Sequence, residues 1–271
     1  MPELPEVQTV LNTLERQIKG RRIMDIQILY PPIVICCEKE FRKRLIGSSF
    51  CGFKRRGKYL LLEMEDVTLV SHLRMEGKYF ILEHGSPVDK HDHVIFYLDD
   101  GRELRYNDVR KFGRMELIEK QEDYRCFKGL GPEPFSDEFN AKYCYDHLKE
   151  KKQPIKQVLL DQSFVAGIGN IYADEVLSLT HVDPRTPACR LSTKQLQELV
   201  EKTRYILNRA IEAGGTTIRS YTSSLGVTGM FQLDLNVHGL KICPVCSSEI
   251  RKIRVGGRGT YYCPRCQKRK R

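Results

Sequence analysis

The sequence predicts an α+β chain of more than one domain: an N-terminal helix, an antiparallel β-sandwich or barrel, a helical segment and a zinc ribbon. Three observations carry this. A β-rich stretch from about Ile23 to Glu119 follows a single amphipathic helix. The composition breaks at Gly129–Pro134, after which helical periodicity takes over. The C-terminal end holds two Cys-x2-Cys pairs.

The first helix is read from Val7, Val10, Leu11, Leu14 and Ile18, which fall on one face at helical spacing. Glu6 lies in the first turn, where a negative charge suits the helix dipole, and Gly20 supplies the stop. IMDIQILY, GKYLLLEME, VTLVSHLR, GKYFILE, HVIFYLDD, ELRYND and GRMELIE then read as strands, with turn signals such as Asp100-Gly101 between them. Many antiparallel strands after one helix make a sandwich or barrel. The linker GLGPEP follows. Ser136-Asp137 is expected to cap a helix running to about Leu148. Pro154 opens another, Asn170 to about Leu179 forms a third, and Ser192 to Ala213 forms a long one stopped by Gly214-Gly215. A polar loop, 216–228, precedes the cysteine-rich end.

Cys243-x2-Cys246, sixteen residues, then Cys263-x2-Cys266 is a four-thiolate zinc pattern. The intervening segment reads as two strands turning at Gly256-Gly257. Four thiolates leave no open position for water, so one structural Zn²⁺ is expected. The other six cysteines, Cys36, Cys37, Cys51, Cys126, Cys144 and Cys189, are scattered and read as reduced thiols.

The formal charge is +10 and is unevenly placed. From Lys241 onward ten basic residues face one acid, giving +9, whereas the remainder is nearly balanced at 35 basic against 34 acidic. A bound zinc tetrathiolate lowers the segment to about +7, still suited to a phosphate backbone. A solvated basic tail is the plainer alternative. No apolar run is long enough to span a bilayer, and MPELPEVQTV lacks a secretory pattern, so a cytoplasmic protein is expected.

Pro2 and Glu3 allow two readings. They shape the entry to the first helix, or they carry chemistry. Removal of Met1 would expose a secondary amine. An α-amino group with pKa about 8, against about 10.4 for lysine, keeps a roughly hundred-fold larger neutral fraction near neutrality. Attack on a sugar C1′ gives an iminium that labilises the neighbouring sugar protons. An adjacent carboxyl can move the protons that open the ring.

MPELPEV, GKYL, SHLRMEGKY, KHDH, DVRKFG, GPEP, AGIGNIYADE and GRGTYYCPRCQ occur in that order, and together they resemble the bacterial formamidopyrimidine-DNA glycosylases from Met1 to Gln267. The resemblance implies an N-terminal β-sandwich domain (1–130), a helix–two-turn–helix domain with a loop that covers the extruded base (131–228), and a zinc ribbon (229–271). It implies a monomeric bacterial enzyme, associated with the nucleoid, that takes oxidised purines from double-stranded DNA and then cleaves the strand on both sides of the sugar. Pro2 matches the nucleophile and Glu3 the assisting acid. Lys58 matches the proton donor for β-elimination and Arg258 the donor for δ-elimination, although alone they read as a surface lysine and a hairpin arginine. Asn170, Lys156, Lys152 and His91 match DNA contacts. By itself Asn170 is also an ordinary helix-cap residue, and the alternation of His91 with His93 lacks a third metal ligand. Met75, Arg110 and Phe112 match a trio that fills the gap left by an extruded base. Without the family, Met75 and Phe112 are as readily core residues and Arg110 a surface charge. Two departures stand out: Gln8 replaces a common glutamate, and VHGLKIC is a short lead-in to the ribbon. The endonuclease VIII relatives tend to begin PEGPE where this chain has Leu4. A non-catalytic zinc-ribbon protein is countered by Pro2, Glu3 and Lys58.

Overall fold

The computed structural model describes residues 1–119, 127–216 and 234–269. The chain divides into two compact units, one of Met1–Lys128 with Gly214–Met230 and one of Gly129–Ala213 with Phe231–Arg271.

In the first unit, helix α1 (Leu4–Ile18) buries Leu4, Val7, Val10, Leu11, Leu14 and Ile18 along one face. It ends where Gly20 takes a φ of 77°, a conformation that costs a residue without Cβ little. Eight strands follow among the described residues: β1 (Ile23–Ile28), β2 (Gly52–Arg56), β3 (Tyr59–Glu63), β4 (Val67–His72), β5 (Lys78–Glu83), β6 (Asp92–Leu98), β7 (Arg102–Asn107) and β8 (Arg114–Glu119). They pair antiparallel into two four-stranded sheets, β1-β6-β7-β5 and β2-β3-β4-β8. The inner faces share one core, with Ile26, Phe96 and Leu104 from one sheet and Leu60, Leu62 and Leu69 from the other. Helix α1 contributes to that core and packs on β2 and β3. The sandwich alternative is therefore the correct one.

Two elements lie where the strand pattern was silent. Helix α2 (Glu38–Leu45) interrupts the β-rich stretch and buries only Phe41 and Leu45, too few apolar positions to reveal a period. Strand β2 carries Lys54, Arg55 and Arg56 in five residues. It is the edge of its sheet, where charge is common because it discourages further pairing.

In the second unit, helices α3 (Ala141–Leu148), α4 (Ile155–Leu160), α5 (Asn170–Leu179) and α6 (Thr193–Glu212) precede the hairpin β9 (Arg251–Val255) and β10 (Arg258–Tyr262). Helix α3 begins three to four residues later than Ser136-Asp137 predicts. Asn140 is its cap, accepting the Tyr143 N–H at 2.9 Å, while the Ser136 hydroxyl donates to the Glu133 carbonyl in the preceding turn. Helix α6 starts at the predicted Ser192, which forms a capping box with Gln195. Its Arg204 donates to the carbonyls of Pro134, Ser136 and Phe139, fixing the GPEP segment to α6. No helix among the described residues is long and apolar enough to cross a membrane.

Candidate active site and nucleic-acid interface

Pro2 and Glu3 sit at the head of α1 and both are buried, whereas Met1 is 50% exposed. Glu3 is the helix N-cap, and its side chain and that of Glu6 form a reciprocal box. One Glu6 oxygen accepts the Glu3 N–H at 2.9 Å. The other accepts the N–H and hydroxyl of Thr216 at 2.9 and 3.0 Å. Glu6 therefore ties the N-terminus to the residue that opens the expected lesion-covering loop. Beyond Thr216, that loop lies outside the described residues.

Lys58 follows Gly57, which has a φ of 54° in the β2–β3 turn. It is only 6% exposed, which rules out the surface-lysine alternative. Gln8, the departure from the family pattern, helps to build this turn. Its side-chain Oε1 accepts from Arg55 Nε at 3.0 Å, and Arg55 in turn donates to the Gly57 backbone carbonyl at 2.9 Å.

His72, which the sequence reading missed, ends β4 in the same sheet. Burial and the nearby cations Arg74 and Lys58 push its pKa down to about 3, so the ring is neutral. Its Nδ1 accepts the Arg74 N–H at 2.9 Å. That places the ring proton on Nε2, as a hydrogen-bond donor beside a lysine. Lys58 in the sequence gave no sign of this neighbour, because the pairing of Tyr59 with His72 is a property of the β3–β4 register.

Met75 is 37% exposed and Phe112 48% exposed, so neither is a core residue. The Arg110 guanidinium stands 4.8 Å from the centre of the Phe112 ring. Arg74 and Lys111 flank these residues with φ values of 52° and 59°, an uncommon conformation for residues with a Cβ. His91 is partly exposed, and its carbonyl accepts the Asp108 N–H at 3.0 Å, at the start of the Arg110–Phe112 loop. His93 is buried, with Nε2 2.8 Å from the Asp108 carbonyl oxygen and its ring against Tyr30.

In the second unit, Asn170 is the first residue of α5, after the glycine-rich turn. Gln162 shapes that turn by accepting from Gly167 N and donating to the carbonyls of Ile168 and Leu160. Asn170 Nδ2 donates to the Gly259 carbonyl at 2.9 Å, linking α5 to the zinc hairpin. Lys152 is exposed, one turn before α4. Lys156 is fully buried. Its ammonium lies 2.7 Å from Asp174 Oδ1 and donates to Thr260 Oγ1 at 2.8 Å and Gly259 O at 3.1 Å. Its place is beneath the hairpin, where it holds α4, α5 and β10 together. His238 Nδ1, 2.8 Å from Asp174 Oδ2, extends this network.

Glu175 accepts four N–H groups, from Asn236 backbone and side chain, Val237 and His238, at 2.7–3.0 Å. The short lead-in to the ribbon is anchored there. The four ribbon thiols lie within 4.8 Å of one another. Cys243 and Cys266 sulfurs are 3.9 Å apart and those of Cys246 and Cys263 3.4 Å apart. Tetrahedral Zn–S bonds of about 2.3 Å require sulfurs about 3.8 Å apart, so the donor set fits one structural zinc. Arg258 is exposed at the start of β10, beside Gly256 and Gly257 with φ values of 55° and 77°, as a tight two-residue hairpin turn requires. Outside the ribbon, Cys36, Cys37, Cys144 and Cys189 are free thiols, the Cys51 thiol donates to the Ser49 carbonyl at 3.4 Å, and Cys126 lies outside the described residues.

Comparison with known proteins gives three matches along the chain: a formamidopyrimidine-DNA glycosylase N-terminal domain over residues 1–115, a formamidopyrimidine-DNA glycosylase H2TH domain over 130–222, and a zinc finger found in FPG and IleRS over 241–269. A formamidopyrimidine-DNA glycosylase of Oceanobacillus iheyensis is 46% identical over 276 residues, covering 100% of this chain and 99% of the relative. One from Streptococcus mutans is 46% identical over 272 residues, covering 99% of this chain and 100% of the relative. Among solved structures, Lactococcus lactis Fpg in complex with an abasic-site DNA superposes with a TM-score of 0.93 at 43% identity, covering 98% of this chain and 100% of that one. A mutant of the Lactococcus lactis protein bound to Fapy-dG DNA gives 0.94 at 42% identity, covering 99% and 100%.

Proposed function

The chain belongs to the formamidopyrimidine-DNA glycosylase family, and on that premise we propose that Pro2 is the nucleophile of a bifunctional glycosylase and lyase specific for oxidised purines. The protein is a base-excision repair glycosylase that acts on damaged DNA. The observation that carries the mechanistic reading is the buried Pro2–Glu3 terminus, fixed at the head of α1 by Glu6.

With Met1 absent, the Pro2 nitrogen attacks C1′ of the damaged nucleoside and the glycosidic bond breaks, the electron pair leaving with the base, which takes up the proton that the Pro2 nitrogen sheds. Glu3 delivers a proton to the sugar ring oxygen, which opens the ring and leaves an iminium between Pro2 and C1′. The iminium acidifies the C2′ proton, and its loss expels the 3′ phosphate. Loss of a proton from C4′ then expels the 5′ phosphate. Lys58 and Arg258 are the proton donors assigned to these two eliminations. Hydrolysis of the iminium frees Pro2.

Before this chemistry the lesion leaves the helix stack, at a cost of a few kcal/mol. Met75 fills the gap, Phe112 stacks on a neighbouring base and Arg110 faces the orphaned one. Exposed, partly apolar side chains on a preformed loop support that reading. His91, Lys152 and Asn170 bind flanking phosphates, Asn170 from a helix N-terminus. Lys156 supports that surface from beneath, its positive charge offset by Asp174. The division into a catalytic sandwich (1–130), a helix–two-turn–helix domain with the covering loop (131–228) and a ribbon (229–271) belongs to the same proposal, as does a monomer working in the cytoplasm at the nucleoid.

Cleavage of duplexes that carry either 8-oxoguanine or an oxidised pyrimidine tests the substrate class. The 8-oxoguanine strand is expected to be cut with phosphates on both sides of the gap. Preference for the pyrimidine lesion would place the protein with the endonuclease VIII type, and no cleavage of any lesion would remove the enzyme reading.

A further inference from the structure

Tyr106, near the end of β7, is buried beneath both loops that carry the gap-filling trio. Its hydroxyl lies so close to Gly77 and Gly113 that a Cβ on either would come within 2.3 Å and 1.6 Å of it. Gly77 closes the Met75 turn, its N–H bonding to the Leu73 carbonyl at 2.9 Å. Gly113 closes the loop of Arg110 and Phe112. Two neighbouring loops therefore rest on one hydroxyl, with no side chain between.

That hydroxyl donates to Asp108 Oδ2 at 3.4 Å. Asp108 is fully buried, and its carboxylate organises the second loop. Oδ1 accepts the Arg110 N–H at 3.0 Å, while Oδ2 accepts those of Phe112 at 2.9 Å and Gly113 at 2.8 Å. The Asp108 backbone is held as well, by the His91 carbonyl and by the His93 ring. Lys111, at a φ of 59°, makes the turn that this wrapping demands, and its ammonium lies 4.6 Å from the Tyr30 ring centre.

We propose that Tyr106 and Asp108 form a positioning pair that fixes Met75, Arg110 and Phe112 relative to one another before DNA arrives, so that the lesion is expelled by a preformed wedge. Neither residue touches DNA in this account. Each acts by reducing the freedom of side chains that do, since a fixed loop enters the stack without a further ordering cost. The inference rests on the assignment of the trio made above.

The test uses full-length, zinc-loaded protein under single-turnover conditions with two duplexes, one containing 8-oxoguanine and one a preformed abasic site. The abasic duplex offers the sugar but no base to expel. Asp108→Asn converts one carboxylate oxygen to a donor and so repels at least one of the loop N–H groups. Tyr106→Phe keeps the ring and removes only the hydroxyl. Both variants are expected to slow release of 8-oxoguanine by about tenfold or more, with borohydride trapping at the abasic site within about twofold of the unaltered protein. A fluorescent base beside the lesion should report unstacking slowed by the same factor. Equal loss on the two duplexes, or loss on neither, overturns the proposal. If Asp108→Asn does not fold, Tyr106→Phe decides the matter alone. Failure of the unaltered protein on both duplexes would instead count against the functional assignment itself.

Discussion

Glu6 joins Thr216 to the N-terminus of the chain: one carboxylate oxygen takes the backbone and hydroxyl protons of Thr216, and the other takes the Glu3 N–H. The carboxylate thereby satisfies donors from two chain segments far apart in sequence. A glutamine at this position presents an N–H₂ where one of these donors points. Glu6→Gln is expected to destabilise the protein by about 1–3 kcal/mol, the cost of a buried unpaired donor. Urea denaturation followed by far-ultraviolet circular dichroism checks this, and an unchanged midpoint would show that the contact contributes nothing.

Lys156 and Asp174 form a buried ion pair with no exposed surface on either side chain. Removing the lysine leaves the buried Asp174 carboxylate with only the His238 ring and the Tyr261 N–H as partners among the described residues, so Lys156→Ala should cost about 3–5 kcal/mol. A phosphate ligand in direct contact with DNA behaves differently. Its loss weakens binding and lowers the salt dependence by about one ion. Exposed Lys152 is expected to follow that pattern. If Lys156→Ala left stability intact and Lys152→Ala left the salt slope unchanged, both roles would be misassigned.

These two lysines show what the sequence could and could not convey. The alternating strands, the α1 face, the Ser192 cap, the Gly256-Gly257 hairpin and the zinc thiolates all depend on local spacing, and each was readable. Lys152 and Lys156 stand four positions apart, yet one is exposed and the other buried. That difference arises because α5 places Asp174, and β10 places Thr260, against the second lysine alone. His72, Tyr106 and Asp108 escaped notice for the same reason. Their importance comes from strand register and from loops meeting in space. Helix α2 and strand β2 were hidden by charge, since neither shows the apolar period of its class.

His72 provides a pH signature. Its pKa is about 3 in the fold, against 6.5 for an ordinary histidine, so the unfolded chain binds the extra proton first. Its contribution is fully present above about pH 6.5 and is lost as pH falls toward 3, at up to about 1.4 kcal/mol per unit. His72→Gln should flatten the fall in stability across that window. Equal acid sensitivity in the two proteins would show that the ring is not held neutral.

Zinc removal separates the ribbon from the sandwich. The hairpin β9–β10 has a small core of its own, in which Cys243 and Cys263 pack with Val237 and Ile250, so its order depends on the thiolate cluster. Stripping the metal with a strong chelator should abolish DNA binding while amide protection in the β-sandwich persists. Normal DNA binding by fully demetallated protein would contradict the structural role given to the ion.

The identity of the attacking atom is the centre of the account. Borohydride reduction during reaction with an 8-oxoguanine duplex, followed by peptide mass spectrometry of the trapped complex, reads it directly. The sugar remnant is predicted on the Pro2 nitrogen, in a peptide that has lost Met1. An adduct on a lysine such as Lys58, or efficient cleavage by protein that retains Met1, would contradict it.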